Sequence, residues 1–362
     1  MLNIIHFHPS LQMAKRFVNP LIQAEKKISL TSRLVTSEFS LTNNDSLYFN
    51  FKLSFLNIFL FPLKLFQICI FIKSLKPNVI ISHNSISSIL PLLGSKLINV
   101  KNRIYFNHGV PYVAYTGFKR LALYVLEYLN CFLCTEIISV SDEMKNLLNL
   151  MSKKKISVIN NGSACGIDLK KYKSLKKNRS FFPKNLDISN NDFLVIYVGR
   201  PVKRKGFEHV ILMWEKYIKN KKIKLLLCGC DQKDVLNLIS HVPKNIIPLG
   251  FVNSIEEIYK TSDLLILPSF HEGLPYAILE AMASKCVVLA NNILGIRSIV
   301  QNHFNGILID DNDIKSYVKK INLLSSNKTL RDQLSKNALI YSKKFSRNAF
   351  IVKYVKFLNE KK

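Results

Sequence analysis

Acidic residues are scarce in this sequence. Over 362 residues, 24 Asp and Glu stand against 52 Lys and Arg, a formal balance of +28. Apolar residues make up 48%, which excludes a disordered basic tail, so the charge belongs to the surface of a folded chain. It implies an anionic partner such as nucleic acid, a phosphorylated ligand or an acidic membrane face. Biased Lys usage in a chain rich in Lys, Asn and Ile is the competing explanation. Regular cysteine spacing is missing too. The seven cysteines, at 69, 131, 134, 165, 228, 230 and 286, are odd in number and irregular, which excludes a disulfide framework and fits a reducing cytosol. Cys131 and Cys134 have CxxC spacing in an apolar helical run without a second pair, so buried thiols are expected there rather than zinc. A basic region followed by an apolar stretch is absent from Met1-Leu-Asn-Ile-Ile-His6, so no secretory leader is expected. There is no short repeat and no low-complexity tract.

One apolar run stands out. Residues 53–72 read LSFLNIFLFPLKLFQICIFI, with Lys64 the one charge. Its length suits a membrane-spanning helix, but Asn57, Pro62, Lys64 and Gln67 interrupt it. An amphipathic helix, packed on a core or lying on a membrane surface, is the expectation.

Short apolar runs alternate with helical periodicity along the chain. Strands are expected at Ile4–Phe7, Val79–Ser82, Arg103–Asn107, Glu136–Val140 and Lys155–Ile159, with helices at Leu121–Leu133 and Asp142–Leu150, the latter capped by Ser141. The pattern collapses into a polar, basic stretch between Lys170 and Asn191, the linker candidate. It then restarts with strands near 193–198, 224–228, 246–249, 264–267, 287–289 and 307–309, separated by helices such as Phe207–Lys219 and Tyr276–Ala283. Strands alternating with helices predict parallel α/β layers. Two α/β domains, 1–175 and 176–342, are expected, with a helical tail at 343–362 that runs back onto the first.

Two segments carry chemistry. Pro268-Ser-Phe-His-Glu272-Gly273-Leu274-Pro275 follows a strand and opens a helix that contains Glu280. Ligands of open α/β sheets bind at such carboxyl ends, and a helix N-terminus there offers amides and a positive dipole end to an anion. Carboxylates repel phosphate, so Glu272 and Glu280 suit hydrogen bonds from sugar hydroxyls. Taken alone, two Glu eight residues apart are as well explained by helix propensity. The second segment, Gly199-Arg200-Pro-Val-Lys203-Arg204-Lys205-Gly206, also joins a strand to a helix. Arg200 and Lys205 suit a cationic clamp, Arg as a planar fork and Lys as a point charge; Lys203 and Arg204 are expected in solvent.

Together these segments resemble glycosyltransferase family 4, the retaining sugar-nucleotide transferases of GT-B fold. The strongest fragment is Glu272-Gly-Leu-Pro through Leu279-Glu280-Ala-Met-Ala, followed by Val198-Gly-Arg200 through Lys205-Gly-Phe207. Weaker echoes are His108-Gly109, Ser139-Val-Ser141-Asp142, Asn161-Gly162 and Leu249-Gly250-Phe251-Val252. The resemblance implies an α/β GT-B fold, two Rossmann-like domains facing each other across a cleft. The first would bind the acceptor and the second the nucleotide sugar. It implies Glu272 and His108 at the reacting sugar, and Arg200 and Lys205 on the diphosphate. Glu280 would bind the ribose, with Gly273 and Leu274 also touching substrate, and Gly250, Phe251 and Val252 bordering the base. For His108, a buried and satisfied core histidine is the alternative. No cofactor and no metal are expected, the substrate being a UDP-sugar or other nucleotide-diphosphate sugar. The acceptor would be a glycan or lipid-linked sugar of a capsule, O-antigen or lipopolysaccharide.

The chain departs from the family in places. His6-Phe-His8-Pro9-Ser10 stands where a glycine-rich first loop belongs, and Leu294-Gly295-Ile-Arg297-Ser298 replaces Gly-Gly-Ile-Pro-Glu, so no phosphate contact is assigned near 295. A sugar-nucleotide epimerase or phosphorylase of similar architecture and a basic nucleic-acid-binding protein are the rival readings. The charge divides almost evenly, +15 over residues 1–178 and +13 over 179–362, which argues against a nucleic-acid stripe. The first 120 residues hold 14 basic and 3 acidic residues beside the apolar run. A cytoplasmic chain, peripheral on an anionic inner membrane face, is the matching expectation.

Overall fold

The computed structural model describes residues 2–39, 46–52, 59–172, 179, 182, 186–310 and 313–361. Two compact units emerge. Unit 1 comprises Met1–Gly166 with Arg347–Lys362, and unit 2 comprises Ile167–Ser346.

Unit 1 is built on a seven-stranded sheet: β1 (Asn3–His8), β2 (Thr31–Thr36), β3 (Ser46–Tyr48), β4 (Val79–His83), β5 (Asn102–Asn107), β6 (Glu136–Ser139) and β7 (Ile156–Val158). Its order is β3-β2-β1-β4-β5-β6-β7. Unit 2 holds six strands: β8 (Phe193–Val198), β9 (Ile223–Cys228), β10 (Ile246–Gly250), β11 (Leu264–Leu267), β12 (Val287–Asn291) and β13 (Ile307–Ile309). They lie in the order β10-β9-β8-β11-β12-β13. Every strand pair in both sheets is parallel. Helices cover both faces of such a sheet, so central strands are buried throughout and read as unbroken apolar runs. Leu264–Leu267 is one, and all four of its residues are buried. The core of unit 2 gathers Val195, Tyr197, Trp214, Leu225, Ile266 and Tyr317, among others.

Helices at Leu11–Phe17, Asn19–Lys27, Ile89–Leu97 and Ile314–Ser326 escape the sequence reading, as do β2 and β3. The third helix shows why. Ile89, Leu90, Pro91, Leu92, Gly94 and Ser95 are all buried, so no polar face marks a helical period, and Pro91 and Gly94 argue locally against a helix. The apolar run at 53–72 becomes the helix Phe61–Leu75, while residues 53–58 lie outside the described residues. No described helix is long and apolar enough to cross a membrane.

The boundaries between units differ from the expected 175/176 and 342/343. Ile167 already belongs to unit 2, because its amide donates to the Phe345 carbonyl at 2.8 Å and it bridges Ser346 in parallel. Tyr172 then packs edge-on against Tyr259, with ring centroids 6.4 Å apart. Part of the linker candidate is anchored as well. Arg179 donates to the carbonyls of Ser189, Asn190 and Asp192 and pairs with Asp263 at 3.0 Å. Residues 173–178, 180–181 and 183–185 of that stretch lie outside the described residues.

The chain returns to unit 1 through the helix Arg347–Asn359, which buries Phe350, Tyr354 and Leu358 completely. Tyr354 donates its hydroxyl to the buried Glu25 carboxylate at 2.6 Å, joining residues far apart in sequence. A bond to a charged group contributes about 1.5–3 kcal/mol. Tyr354→Phe is therefore expected to lower the stability of unit 1 by about that amount, read as a lower urea midpoint; an unchanged midpoint would show that the contact carries no stability.

Candidate functional site

In unit 2 the strands β8, β9 and β10 run outward in one direction and β11, β12 and β13 in the other. The order reverses between β8 and β11. At such a switch point the loops leaving the two strands diverge and open a crevice at the carboxyl edge. The loop after β8 carries Arg200 to Gly206, and the loop after β11 carries Pro268 to Pro275.

These loops are stitched together. Lys205 Nζ donates to Glu272 Oε1 at 2.6 Å, with Glu272 8% and Lys205 20% exposed at the side chain. Phe270 N donates to the Arg204 carbonyl, and Arg204 Nη1 donates back to the His271 carbonyl, both at 2.9 Å. Arg204 is thus a brace between the loops and not the solvated residue expected from sequence: a planar guanidinium can reach a carbonyl that a surface lysine leaves to water. The approach is close enough to require glycine. Gly206 has φ +69°, and a Cβ there would lie 2.1 Å from the Pro268 carbonyl oxygen. Gly295 makes a similar approach from the loop after β12, where a Cβ would meet the carbonyl oxygens of Glu272 at 2.4 Å and Gly273 at 2.5 Å. The segment near 295 therefore supports the candidate site from behind. That signal was a single glycine in an atypical sequence, too little to read without the tertiary contact.

The helix Tyr276–Ala283 begins directly after this loop, with Pro275 at its N-cap. Glu280 is buried within it, and Leu274 is buried at its entrance. Arg200 is exposed at the mouth of the β8 loop, and its carbonyl accepts a hydrogen bond from the buried Tyr197 hydroxyl at 3.1 Å. Glu272, Gly273, Leu274, Glu280 and Lys205 are thus gathered at the switch point. Gly250, Phe251 and Val252 sit at the end of β10, two strands away from β8. The Gly250 carbonyl accepts from Gly229 N at 2.7 Å, and Phe251 is 73% exposed.

His108 belongs to unit 1, at the end of β5, where it stacks on Phe106 with ring centroids 5.0 Å apart. Burial, with a smaller contribution from His8, pushes its imidazole down to about 3. Its residue surface is partly exposed. It ends a line of histidines that sequence reading missed: His83 Nδ1 and His108 Nε2 share a hydrogen bond at 3.0 Å, as do His6 Nδ1 and His83 Nε2. Here too the strand order reverses, between β1 and β4, the strands that bear His6 and His83. Cys131 and Cys134 are buried free thiols, and burial pushes Cys134 up to about 11.

Residues 178–340 match the family described as glycosyl transferases group 1. The match covers just under half of the chain and lies within unit 2. The capsular polysaccharide biosynthesis glycosyltransferase CapM of Staphylococcus aureus is 27% identical to this glycosyltransferase over 72% of the chain and 71% of its own length. The UDP-Gal:alpha-D-GlcNAc-diphosphoundecaprenol alpha-1,3-galactosyltransferase of Escherichia coli is 29% identical over 74% of the chain and 70% of its own length. Among solved structures, Anabaena Alr3699/HepE in complex with UDP and glucose superposes with a TM-score of 0.82 at 17% identity, covering 99% of this chain and 100% of that one. The likeness carries the GT-B fold of two Rossmann-like domains.

The candidate site of this transferase includes a neutral histidine. Burial first, and the Arg204 guanidinium second, push His271 from 6.5 down to about 4, with Glu272 opposing. A histidine whose folded value lies below its unfolded one stabilises the fold while neutral, above the unfolded value. That contribution is lost as pH falls from about 6.5 toward about 4. His271→Gln is expected to flatten the fall in unit 2 urea midpoint across this window. An undiminished pH dependence in the variant would place its origin elsewhere.

Proposed function

We propose that this glycosyltransferase is a retaining enzyme that moves a sugar from a nucleotide-diphosphate donor to a glycan or lipid-linked acceptor in surface-polysaccharide assembly, without a metal ion. The Lys205–Glu272 contact of 2.6 Å at the switch point carries the reading. A carboxylate beside a diphosphate is repulsive, and Lys205 offsets that repulsion while bringing its own positive charge to the leaving group. Glu272 is left to accept hydrogen bonds from sugar hydroxyls. Breaking the glycosyl–phosphate bond builds negative charge on the departing oxygen, where Lys205, Arg200 and the amides opening the helix Tyr276–Ala283 stabilise it. The acceptor oxygen bonds to the anomeric carbon on the face the phosphate leaves, and its proton passes to the departing phosphate oxygen. Glu280 holds the ribose, Gly273 and Leu274 line the sugar phosphate, and Gly250 to Val252 border the base; within unit 1, His108 is the catalytic candidate. The UDP-Gal donor and diphosphoundecaprenol-linked acceptor in the name of the Escherichia coli relative support the substrate classes, and the capsular role named for the Staphylococcus aureus relative supports the pathway class.

Purified protein is expected to gain thermal stability with one UDP-sugar in a donor screen, and to transfer that sugar in the presence of EDTA. Glu272→Ala and Lys205→Ala are each expected to reduce transfer at least 100-fold, in line with loss of about 2.7 kcal/mol or more of transition-state stabilisation, with the far-ultraviolet spectrum unchanged. Full activity in either variant sinks the site assignment, and dependence on added metal sinks the metal-free mechanism.

The exposed surface of unit 1 supports a membrane-facing role. On the helix Phe61–Leu75, Leu63, Phe66 and Ile70 are 53%, 65% and 55% exposed, an apolar stripe at helical spacing turned to solvent. The helix Gly117–Leu133 repeats the pattern with Phe118, Leu121, Val125, Tyr128 and Phe132. Both helices pack against the helix Ile89–Leu97. Lys73, Lys119 and Arg120 are exposed on these same helices, and Lys96 lies 4.1 Å from the Phe132 ring centre. Apolar stripes edged with cations suit the headgroup region of an anionic bilayer. The protein is expected to float with vesicles containing phosphatidylglycerol, less so in high salt, and Phe66→Asp with Phe118→Asp is expected to abolish flotation. Absence of the unaltered protein from the floating fraction rejects this localisation.

A further inference from the structure

A buried polar line crosses unit 1 behind His108. Glu25 on the helix Asn19–Lys27 accepts hydrogen bonds from the Ser32 hydroxyl, from the Tyr354 hydroxyl at 2.6 Å and from His6 Nε2 at 3.1 Å. His6 Nδ1 meets His83 Nε2 at 3.0 Å, and His83 Nδ1 meets His108 Nε2 at 3.0 Å. His6, His83 and Glu25 are fully buried. Among the described residues, His108 Nδ1 has no hydrogen-bond partner.

Proton counting fixes what that last nitrogen presents. Each ring–ring bond needs one proton, and the bond to the Glu25 carboxylate needs one on His6 Nε2. With one proton per ring, every Nε2 donates and every Nδ1 accepts, so His108 Nδ1 is bare. If one further proton enters and the three bonds persist, His108 Nδ1 must carry a hydrogen, wherever the charge resides. His6 is the ring in contact with a carboxylate, the place in the line where an added positive charge has a counter-charge. We propose that Glu25, His6 and His83 are positioning residues whose shared proton count sets whether His108 offers a sugar hydroxyl an acceptor or a donor. This rests on the reading that His108 borders the transferred sugar.

The surroundings favour the same assignment. Burial first, then the neighbouring His108, His6 and His8, push His83 well below its ordinary value, and His108 is pushed to about 3, so neither ring holds a charge by itself. For Glu25, burial favours the protonated form, but the His6 charge and the hydrogen bonds from His6, Ser32 and Tyr354 outweigh it and leave the carboxyl below its ordinary range. The other titratable neighbour of His108 is His8, with ring centroids 6.4 Å apart. Burial pushes His8 down to about 4, and Glu38 and Lys52 act on it with opposite signs. Phe17 and Phe106 complete the setting of His108.

Proton–nitrogen correlation spectra of the full chain, labelled at histidine nitrogens and titrated from alkaline to acidic pH, read each ring nitrogen as bare or protonated. His108 Nδ1 is expected to be bare at alkaline pH and to gain its hydrogen at the midpoint at which His6 becomes doubly protonated. His83→Phe keeps a buried ring but cuts the line, so the two midpoints are expected to separate. Glu25→Gln removes the counter-charge, and both midpoints are expected to move down together; this variant decides the matter if His83→Phe does not fold. Separate midpoints in the unaltered chain, or a protonated Nδ1 on His108 at alkaline pH, overturn the proposal. Adding the UDP-sugar selected in the donor screen separates this from the donor reading: coupled midpoints with a donor-induced shift at His108 Nδ1 support both. Coupled midpoints without that shift support the proton line and reject His108 as a sugar contact.

Discussion

Parallel strand pairing is the constraint on which everything else depends. Because every pair in both sheets is parallel, each sheet has one edge at which all its strands end. Hydrogen bonding within the sheet thereby delivers every loop that leaves a strand to the same side, and crossover helices occupy the faces. The reversal of strand order then decides which two loops stand apart to leave a crevice. In unit 2 those loops bear Lys205 and Glu272, and in unit 1 the corresponding strands end in His8 and His83. The chemistry is arranged by backbone topology before any side chain is chosen.

Within that arrangement, the function proposed for unit 2 carries a conflict. A diphosphate site gains from cations and amides, whereas a sugar site gains from carboxylates, and the two must lie within one substrate length. The direct Lys205–Glu272 contact resolves the conflict locally, since each charge is the nearest compensation for the other. Its geometry depends on backbone contacts: the Arg204 brace, the αL turn at Gly206 and the approach of Gly295 to the carbonyls of Glu272 and Gly273. Glycine is required at the last two positions because carbonyl oxygens occupy the space a side chain would take. Unit 1 uses another device, a hydrogen-bonded line of histidines closed by a buried carboxylate, where burial suppresses charge on His83 and His108.

Much of the fold was legible in order along the chain. The strands Leu264–Leu267 and Phe193–Val198 and the helix Tyr276–Ala283 are plain because their patterns are local: apolar runs of strand length, and a proline at a helix entrance. The helix Ile89–Leu97 was not legible, because most of it is buried and its exposed Leu97 is itself apolar, so no polar face marks a helical period. Lys205 and Glu272 could be nominated because each sits in a motif at the end of a strand. Arg204 could not be told from its basic neighbours, since its distinction is a carbonyl 67 residues away.

The sequence by itself therefore determined the alternation of strands and helices, the parallel α/β class, and a carboxylate loop and a cation loop that each follow a strand. These follow from periodicity, turn residues and residue chemistry, which act over a few positions. Only the tertiary structure decided that Gly295 backs the Glu272 loop, that the units part at Gly166 and Ile167, and that Glu25, His6, His83, His108 and Tyr354 form one line. The physical reason is separation along the chain: Tyr354 and Glu25 lie 329 residues apart. A hydrogen bond of that reach exists only after two sheet-forming segments and a returning helix have packed, and no local pattern records it.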